Sequence, residues 1–312
     1  MTEDNTVHVA LCIDADFILP LAACLASLDA VSIGRPVVVH VIHPGLDDEV
    51  RHRITRGLVH LTVQWNCVDD TAVAGAHHSV FLSTASLYRL LLGELLPQAL
   101  RRVIYLDADT IVTGSLAPLF DHPLDDGAVV GAVPDAQSPW AAGPLGPPWK
   151  ELGLDPSSGY FNSGVLLIDL DRWRRDRTGH RCLELLRRLS PTWGDQDGLN
   201  TVLENRWHQL SRHWNVQSAD VRGSSIAWAL WTREIRDAVS SPGIMHYTEG
   251  DKPWLATTQH PETARWFRSL DQTSWAGWRP AEARRPFWRL AASSAAGFVR
   301  ARLESPSPQF PA

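Results

Sequence analysis

Asp107 and Asp109 stand one residue apart at the end of an apolar run, in the stretch RVIYLDADTIV. Val103, Ile104, Tyr105 and Leu106 have the β-branched, aromatic and apolar character of a short buried strand. Residues i and i+2 of an extended chain point the same way, so both carboxylates are expected on one face. At the carboxyl end of a strand, that face is where an α/β sheet opens to ligand. Two hard oxygen donors placed there suit Mg²⁺ or Mn²⁺ carrying a diphosphate. A turn or a helix N-cap uses aspartate equally well, and the pair alone does not separate the two uses.

The segments around this pair must position it, and they alternate in kind. Strand signals cover residues 7–13, 37–42, 61–65, 103–106 and 128–133, with helical stretches at 17–28, 47–58 and 86–96. This rhythm predicts an α/β fold with a mainly parallel, Rossmann-like sheet flanked by helices and a nucleotide site at the C-terminal strand edge. Residues 134–160 are rich in proline and glycine, hold Trp140 and Trp149, and read as a long loop over the sheet. A strand resumes at 164–168 and a helix covers 182–189. Residues 1–278 are expected to form one catalytic domain, 279–304 a basic amphipathic segment and 305–312 a disordered tail.

Charge and cysteine usage narrow the class. The 312-residue chain has a net charge of −6, which gives no global basic field for nucleic acid. Six arginines gather in residues 279–304 against two glutamates. With Phe287, Trp288, Leu290, Phe298, Val299 and Leu303 among them, the segment suits a peripheral contact with an anionic membrane surface. A helix packed on the catalytic domain with solvated arginines fits equally well. Cys12, Cys24, Cys67 and Cys182 show no metal spacing, and three of them sit in apolar or helical stretches as reduced core thiols. The start, MTEDNTVH, is acidic and polar and does not read as a signal peptide, and no apolar run reaches the roughly 18 residues of a membrane span. These features predict a cytoplasmic, soluble protein, with the membrane's inner face as the place of any peripheral contact.

Six segments in order carry a family likeness: VALCIDADF, STASLYRL, RVIYLDADTIV, GYFNSGVLLIDLDRWR, GDQDGLN and HYTEGDKPW. Over residues 7 to about 254 the chain resembles the glycosyltransferases of family 8, the retaining GT-A group that includes bacterial lipopolysaccharide galactosyl- and glucosyltransferases and glycogenin. The resemblance implies transfer of a hexose, galactose or glucose, from a UDP-sugar to a hydroxyl acceptor that is a saccharide or lipid-linked. It places Asp14, Asp16 and Phe17 at the uridine, Phe17 stacking on the base, and has Arg89 reach the nucleotide. It makes Asp107, Asp109 and His246 the metal ligands, with Ala108 near the ribose and Gly250 and Lys252 at the diphosphate. Imidazole is a softer donor than carboxylate, which favours Mn²⁺ over Mg²⁺. Asp135, Asn162 and Asp195 are expected around the donor sugar, with Gln196, in Asp195-Gln196-Asp197, on the β face of the reacting carbon.

Two departures from the family pattern stand out. The uridine turn reads Asp14-Ala15-Asp16-Phe17, where relatives more often pair two acids before Asn or Ser and then Tyr. Three residues after His246, where relatives often have Gly, this chain has Glu249 with Gly250 next, so a one-residue rearrangement of the loop is expected. If these changes disable the site, the alternative is a sugar-nucleotide-binding protein without transfer activity. A haloacid-dehalogenase-type phosphohydrolase also has an Asp-x-Asp after an apolar strand. That group carries Asp-x-Asp-Gly-Thr near the start of its domain, whereas here Thr110 follows directly and three predicted strands come first.

Overall fold

The computed structural model describes residues 5–76, 83–189 and 194–281. Its strands are β1 (Val7–Cys12), β2 (Val37–His43), β3 (Leu61–Cys67), β4 (Arg102–Leu106) and β5 (Thr110–Val112). They continue as β6 (Val130–Pro134), β7 (Phe161–Asp169), β8 (Trp207–Gln209), β9 (Val216–Gln217) and β10 (Ile244–His246). Seven strands form the main sheet in the order β3-β2-β1-β4-β7-β6-β8. Every pairing is parallel except those of β7, which runs antiparallel to both β4 and β6. The mainly parallel sheet read from the sequence is therefore present.

The sheet is buried on both faces, as the near-continuous apolar runs of β1 and β2 require. Val103 and Tyr105 pack with Ala10, Leu166 and Trp173 on one side, and Ile104 and Leu106 with Val9, Leu25 and Leu167 on the other. The helix Ile18–Val31 lies over the second face and is apolar all round, since Ala23 also packs towards Ile111, Met245 and Trp266. Its expected span, 17–28, is extended by a turn. A second, three-stranded sheet has the order β5-β10-β9, with Thr110 opposite His246 in antiparallel register.

Three expectations are corrected. Residues 86–96 are not one helix: 3-10 turns over Thr84–Leu91 lead into a single turn, Leu92–Leu95. Ala85 and every residue from Leu87 to Leu91 are buried, so no solvent-facing stripe is left for an amphipathic helix. The 134–160 segment is more than a loop, because Ala141, Leu152 and Leu154 form a small core with Trp149 over the short helix Trp149–Leu152. Strand β7 starts at Phe161 rather than 164 and takes Asn162 and Ser163 into the sheet. The segment 282–304 and the tail 305–312 lie outside the described residues. Among the described residues no helix is long and apolar enough to cross a membrane. Cys12, Cys24 and Cys182 are buried free thiols, and Cys67 is exposed.

Candidate active site

Strand β4 ends at Leu106, so Asp107 and Asp109 lie in the turn to β5 rather than on an extended strand. Their convergence comes from that turn, not from strand alternation. Asp107 N–H donates to Gly164 O over 2.8 Å, and Thr110 Oγ1 donates to Asp107 O over 2.8 Å, which pins it. Pairing of β10 with β5 then brings His246 beside the acids.

Each acid has one oxygen engaged and one left over. Asp107 Oδ1 accepts from Tyr105 OH at 2.6 Å and lies 2.9 Å from Arg89 Nη2. Asp109 Oδ2 accepts from Lys252 Nζ at 2.6 Å, while its Oδ1 is buried without a hydrogen bond. His246 Nε2 sits 3.2 Å from that orphaned oxygen and 3.7 Å from Asp107 Oδ2. One ligand atom from each of the three residues falls within 4.8 Å of the others. An unpartnered buried carboxylate oxygen facing a second carboxylate and an imidazole fits a divalent cation. Gly164 makes room for the cluster: a Cβ there would stand 2.1 Å from His246 Cε1 and 2.6 Å from Asp107 Oδ2.

Arg89 lies beneath this centre. Its Nε donates to Ser86 O at 2.9 Å, its Nη1 to Ser163 O at 2.8 Å, and its plane covers the Tyr105 ring. Nε is also 2.9 Å from Asp195 Oδ2. The guanidinium is thus directed into the protein, to Asp107 and Asp195, where the sequence reading has it reach the nucleotide. Asp195 heads the helix Asp195–Val202 and is 1% exposed. Burial raises the pKa of its carboxyl, Arg89 pulls it back down, and Asp107 pushes it up again.

Asp135, Asn162 and Gln196 meet around the start of β7. Asn162 Nδ2 and Gln196 Nε2 each lie 3.3 Å from Asp135 Oδ2. Gln196 Oε1 accepts from Ser163 N–H at 3.0 Å, which fixes the plane of its amide. Tyr160 OH donates to Asp197 Oδ1 at 2.5 Å and accepts from Gln196 Nε2 at 3.3 Å.

At the end of β1, Asp14 accepts from Asp16 N–H at 3.0 Å and caps the 3-10 turn Ala15–Phe17. Asp16 is exposed, and Phe17 is half-buried with its ring edge-on to Trp254 at 5.9 Å between centroids. The turn and the Lys252-Pro253-Trp254 segment therefore meet, whereas Phe17 also packs against the core. Ala108 is buried. Glu249 adopts φ +70°, the left-handed conformation natural to glycine, so the backbone needs no one-residue shift to Gly250. Arg222 Nη1 holds the Glu249 carboxylate at 2.7 Å and Gln137 Nε2 reaches it at 3.2 Å. A Cβ at Gly250 would meet nothing within 4 Å.

The sequence reading missed four contributors: Tyr105, Tyr160, Gly164 and Asn215. Asn215 Oδ1 lies 3.0 Å from His246 Nδ1. Gly164 had a signal, a glycine inside an apolar strand, which marks a close approach. Asn215 had none.

A mainly parallel sheet carrying an Asp-x-Asp and a histidine at its ligand edge is the architecture of a GT-A glycosyltransferase. The chain belongs to glycosyl transferase family 8, whose family model matches residues 8–258. It is 26% identical over 284 residues to General stress protein A of Bacillus subtilis, covering 88% of this chain and 96% of that one. It is 22% identical over 296 residues to lipopolysaccharide 1,3-galactosyltransferase of Salmonella typhimurium, covering 88% and 80%. The crystal structure of galactosyltransferase LgtC in complex with donor and acceptor sugar analogs has the same fold. Its TM-score is 0.71 at 23% identity, over 91% of this chain and 99% of that one.

Proposed function

We propose that the protein transfers galactose or glucose from UDP to a hydroxyl acceptor with retained anomeric configuration, using Mn²⁺. The carrying observation is the trio Asp107 Oδ2, Asp109 Oδ1 and His246 Nε2, which presents one donor atom per residue from a single cluster. A nitrogen donor among the oxygens favours Mn²⁺ over Mg²⁺. When bound there, the cation supplies Lewis-acid stabilisation of the departing diphosphate. Lys252 adds a fixed positive charge beside Asp109. Asp14, Asp16 and Phe17 receive the uridine, Ala108 borders the ribose, and Gly250 lets the loop approach the phosphates. Arg89 acts through Asp107 and Asp195, which it holds in place.

Retention is assigned to same-face attack. A double displacement needs a free carboxylate on the β face. Asp195 is buried against Arg89, and Asp197 is buried with Tyr160 OH bound to it. Between them Gln196 offers an amide, a poor nucleophile. As the bond from the anomeric carbon to the phosphate oxygen breaks, the acceptor oxygen bonds to that carbon from the same side. The departing oxygen takes the acceptor's proton, and Gln196 steadies the positive charge that develops. Asp135 and Asn162 hold sugar hydroxyls.

The acceptor is assigned as a saccharide or lipid-linked saccharide, in keeping with the lipopolysaccharide galactosyltransferase among the relatives. A cytoplasmic enzyme touching an anionic membrane face through 279–304 would suit that acceptor. Arg279, within the described residues, instead pairs with Asp271 at 2.7 Å and stacks on Phe267. Engagement of the Glu249 carboxylate by Arg222 removes one of the two reasons for binding without transfer, the other being the uridine turn Asp14-Ala15-Asp16-Phe17. Release of UDP from UDP-glucose and UDP-galactose, with and without Mn²⁺, tests the proposal. Mn²⁺-dependent release from one of them is expected, and none from either hexose in the presence of an acceptor panel overturns it.

A further inference from the structure

His246 has two ring nitrogens, and as a neutral ligand it must carry its proton on the one that does not bind. The surrounding hydrogen bonds fix which nitrogen that is. Gly164 N–H lies 3.1 Å from Asn162 Oδ1, and a main-chain amide only donates, so that atom is an oxygen and the Asn162 amide cannot be turned over. The same oxygen lies 2.9 Å from the Asn215 amide, which must therefore face it with Nδ2. The other end of Asn215, Oδ1, then faces His246 Nδ1 at 3.0 Å and requires a proton there. In the neutral, metal-binding ring His246 Nε2 then keeps its lone pair. It points to Asp109 Oδ1 and Asp107 Oδ2, at 3.2 and 3.7 Å. Three electron-rich atoms facing one another repel unless a cation lies among them.

We infer that Asn215 is a positioning residue that makes His246 Nε2 a ligand. The proton order of the cation site is set by the main-chain amide of Gly164, relayed through Asn162 and Asn215. This deepens the metal-dependent reading above and rests on it. Asn215 and His246 are buried, at 0% and 3% exposure, so solvent does not compete for either end of the relay. The relay also touches the sugar side, since Asn162 Nδ2 lies 3.3 Å from both Asp135 Oδ2 and Gln196 Oε1. The cation centre and the amides around the donor sugar thus belong to one ordered set of donors and acceptors.

Electron paramagnetic resonance titration of the full chain with Mn²⁺ tests the role, with metal-free thermal unfolding as the control for packing. Asn215→Leu should weaken Mn²⁺ binding about 10- to 100-fold, the usual effect of losing the partner of a metal-bound histidine. Asn215→Asp keeps an acceptor for Nδ1–H but sets an oxygen against Asn162 Oδ1, and should lose clearly less Mn²⁺ affinity than Asn215→Leu. Equal losses in the two variants, or no loss in Asn215→Leu, overturn the inference. Nitrogen-15 spectra of the imidazole in metal-free wild-type protein give a readout independent of variant folding. A proton on Nδ1 is expected, and a proton on Nε2 with none on Nδ1 overturns the relay while leaving the metal reading intact. A wild-type protein that binds no Mn²⁺ overturns the metal reading and the inference together.

Discussion

Lys252 Nζ lies 2.6 Å from Asp109 Oδ2, while the other oxygen of that carboxylate is buried without a hydrogen bond and faces His246 Nε2 at 3.2 Å. Burial alone would raise the Asp109 pKa, but the Lys252 ammonium beside it outweighs burial and holds the carboxyl well below the usual range. In the proposed reading Lys252 is counter-charge to a ligand as well as a neighbour of the diphosphate. Replacing it separates the two roles. Lys252→Met should leave Mn²⁺ affinity unchanged or tighter, because a competing positive charge is gone. The same change should lower kcat about 10²- to 10³-fold, the scale of losing one stabilising group at a developing charge. Titration with Mn²⁺ and steady-state UDP release check the two halves.

Gly164 is required by space rather than by backbone conformation. A methyl group there would overlap His246 Cε1 and crowd Asp107 Oδ2. Gly164→Ala should therefore weaken Mn²⁺ binding at least tenfold and destabilise the fold by about 1–3 kcal/mol, the range for overpacking a tight interior. Calorimetric Mn²⁺ titration and urea unfolding give both numbers. Wild-type affinity in this variant would remove Gly164 from the site.

What was legible in the sequence follows from how local each signal is. The turn acids, the strand before them and the Asp195-Gln196-Asp197 segment carry their chemistry within a few residues, and the structure gathers those segments at one sheet edge. The fate of Arg89 was not legible, because its partners Asp107, Ser163 and Asp195 come from three distant segments. Asn215 is a single amide after Trp214, and only the pairing of β9 with β10 brings it to His246. The conformation of Glu249 was hidden for another reason: a left-handed glutamate goes against residue preference and depends on Arg222 and Gln137 to hold its carboxylate.

Acid should destabilise the fold through its buried histidines. His260 accepts from Glu262 N–H at Nδ1 and faces Ser218 Oγ at Nε2, so a second proton has no acceptor. Burial, reinforced by the charge of Arg222, lowers its pKa to about 4, and burial with His8 alongside lowers that of His40 to about 4 as well. An unfolded histidine titrates near 6.5, so between these limits the unfolded chain binds more protons. Stability is then full above about pH 6.5 and falls as pH drops towards 4, by up to roughly 1.4 kcal/mol per pH unit per histidine. His260→Gln should flatten the fall in unfolding midpoint over this window. An unchanged slope would show that His260 is protonated in the folded protein.

The location of Asp195 and Asp197 makes the retention mechanism testable without a substrate complex. Asp195 has Arg89 against it, Asp197 has Tyr160 OH, and both are buried, so neither carboxylate can reach a sugar without breaking those contacts. Gln196 is the more exposed of the three, and its amide is fixed by Ser163 N–H and by Asp135. A group that only steadies charge should affect turnover more than binding. Gln196→Ala should lower kcat about 10- to 100-fold, with KM for the UDP-sugar changed far less. Intact-protein mass spectrometry during turnover of a slow fluorinated donor should show no added sugar. A hexosyl adduct mapped to Asp195 or Asp197 would mean that the helix start rearranges to free a nucleophile, and same-face attack would have to be given up.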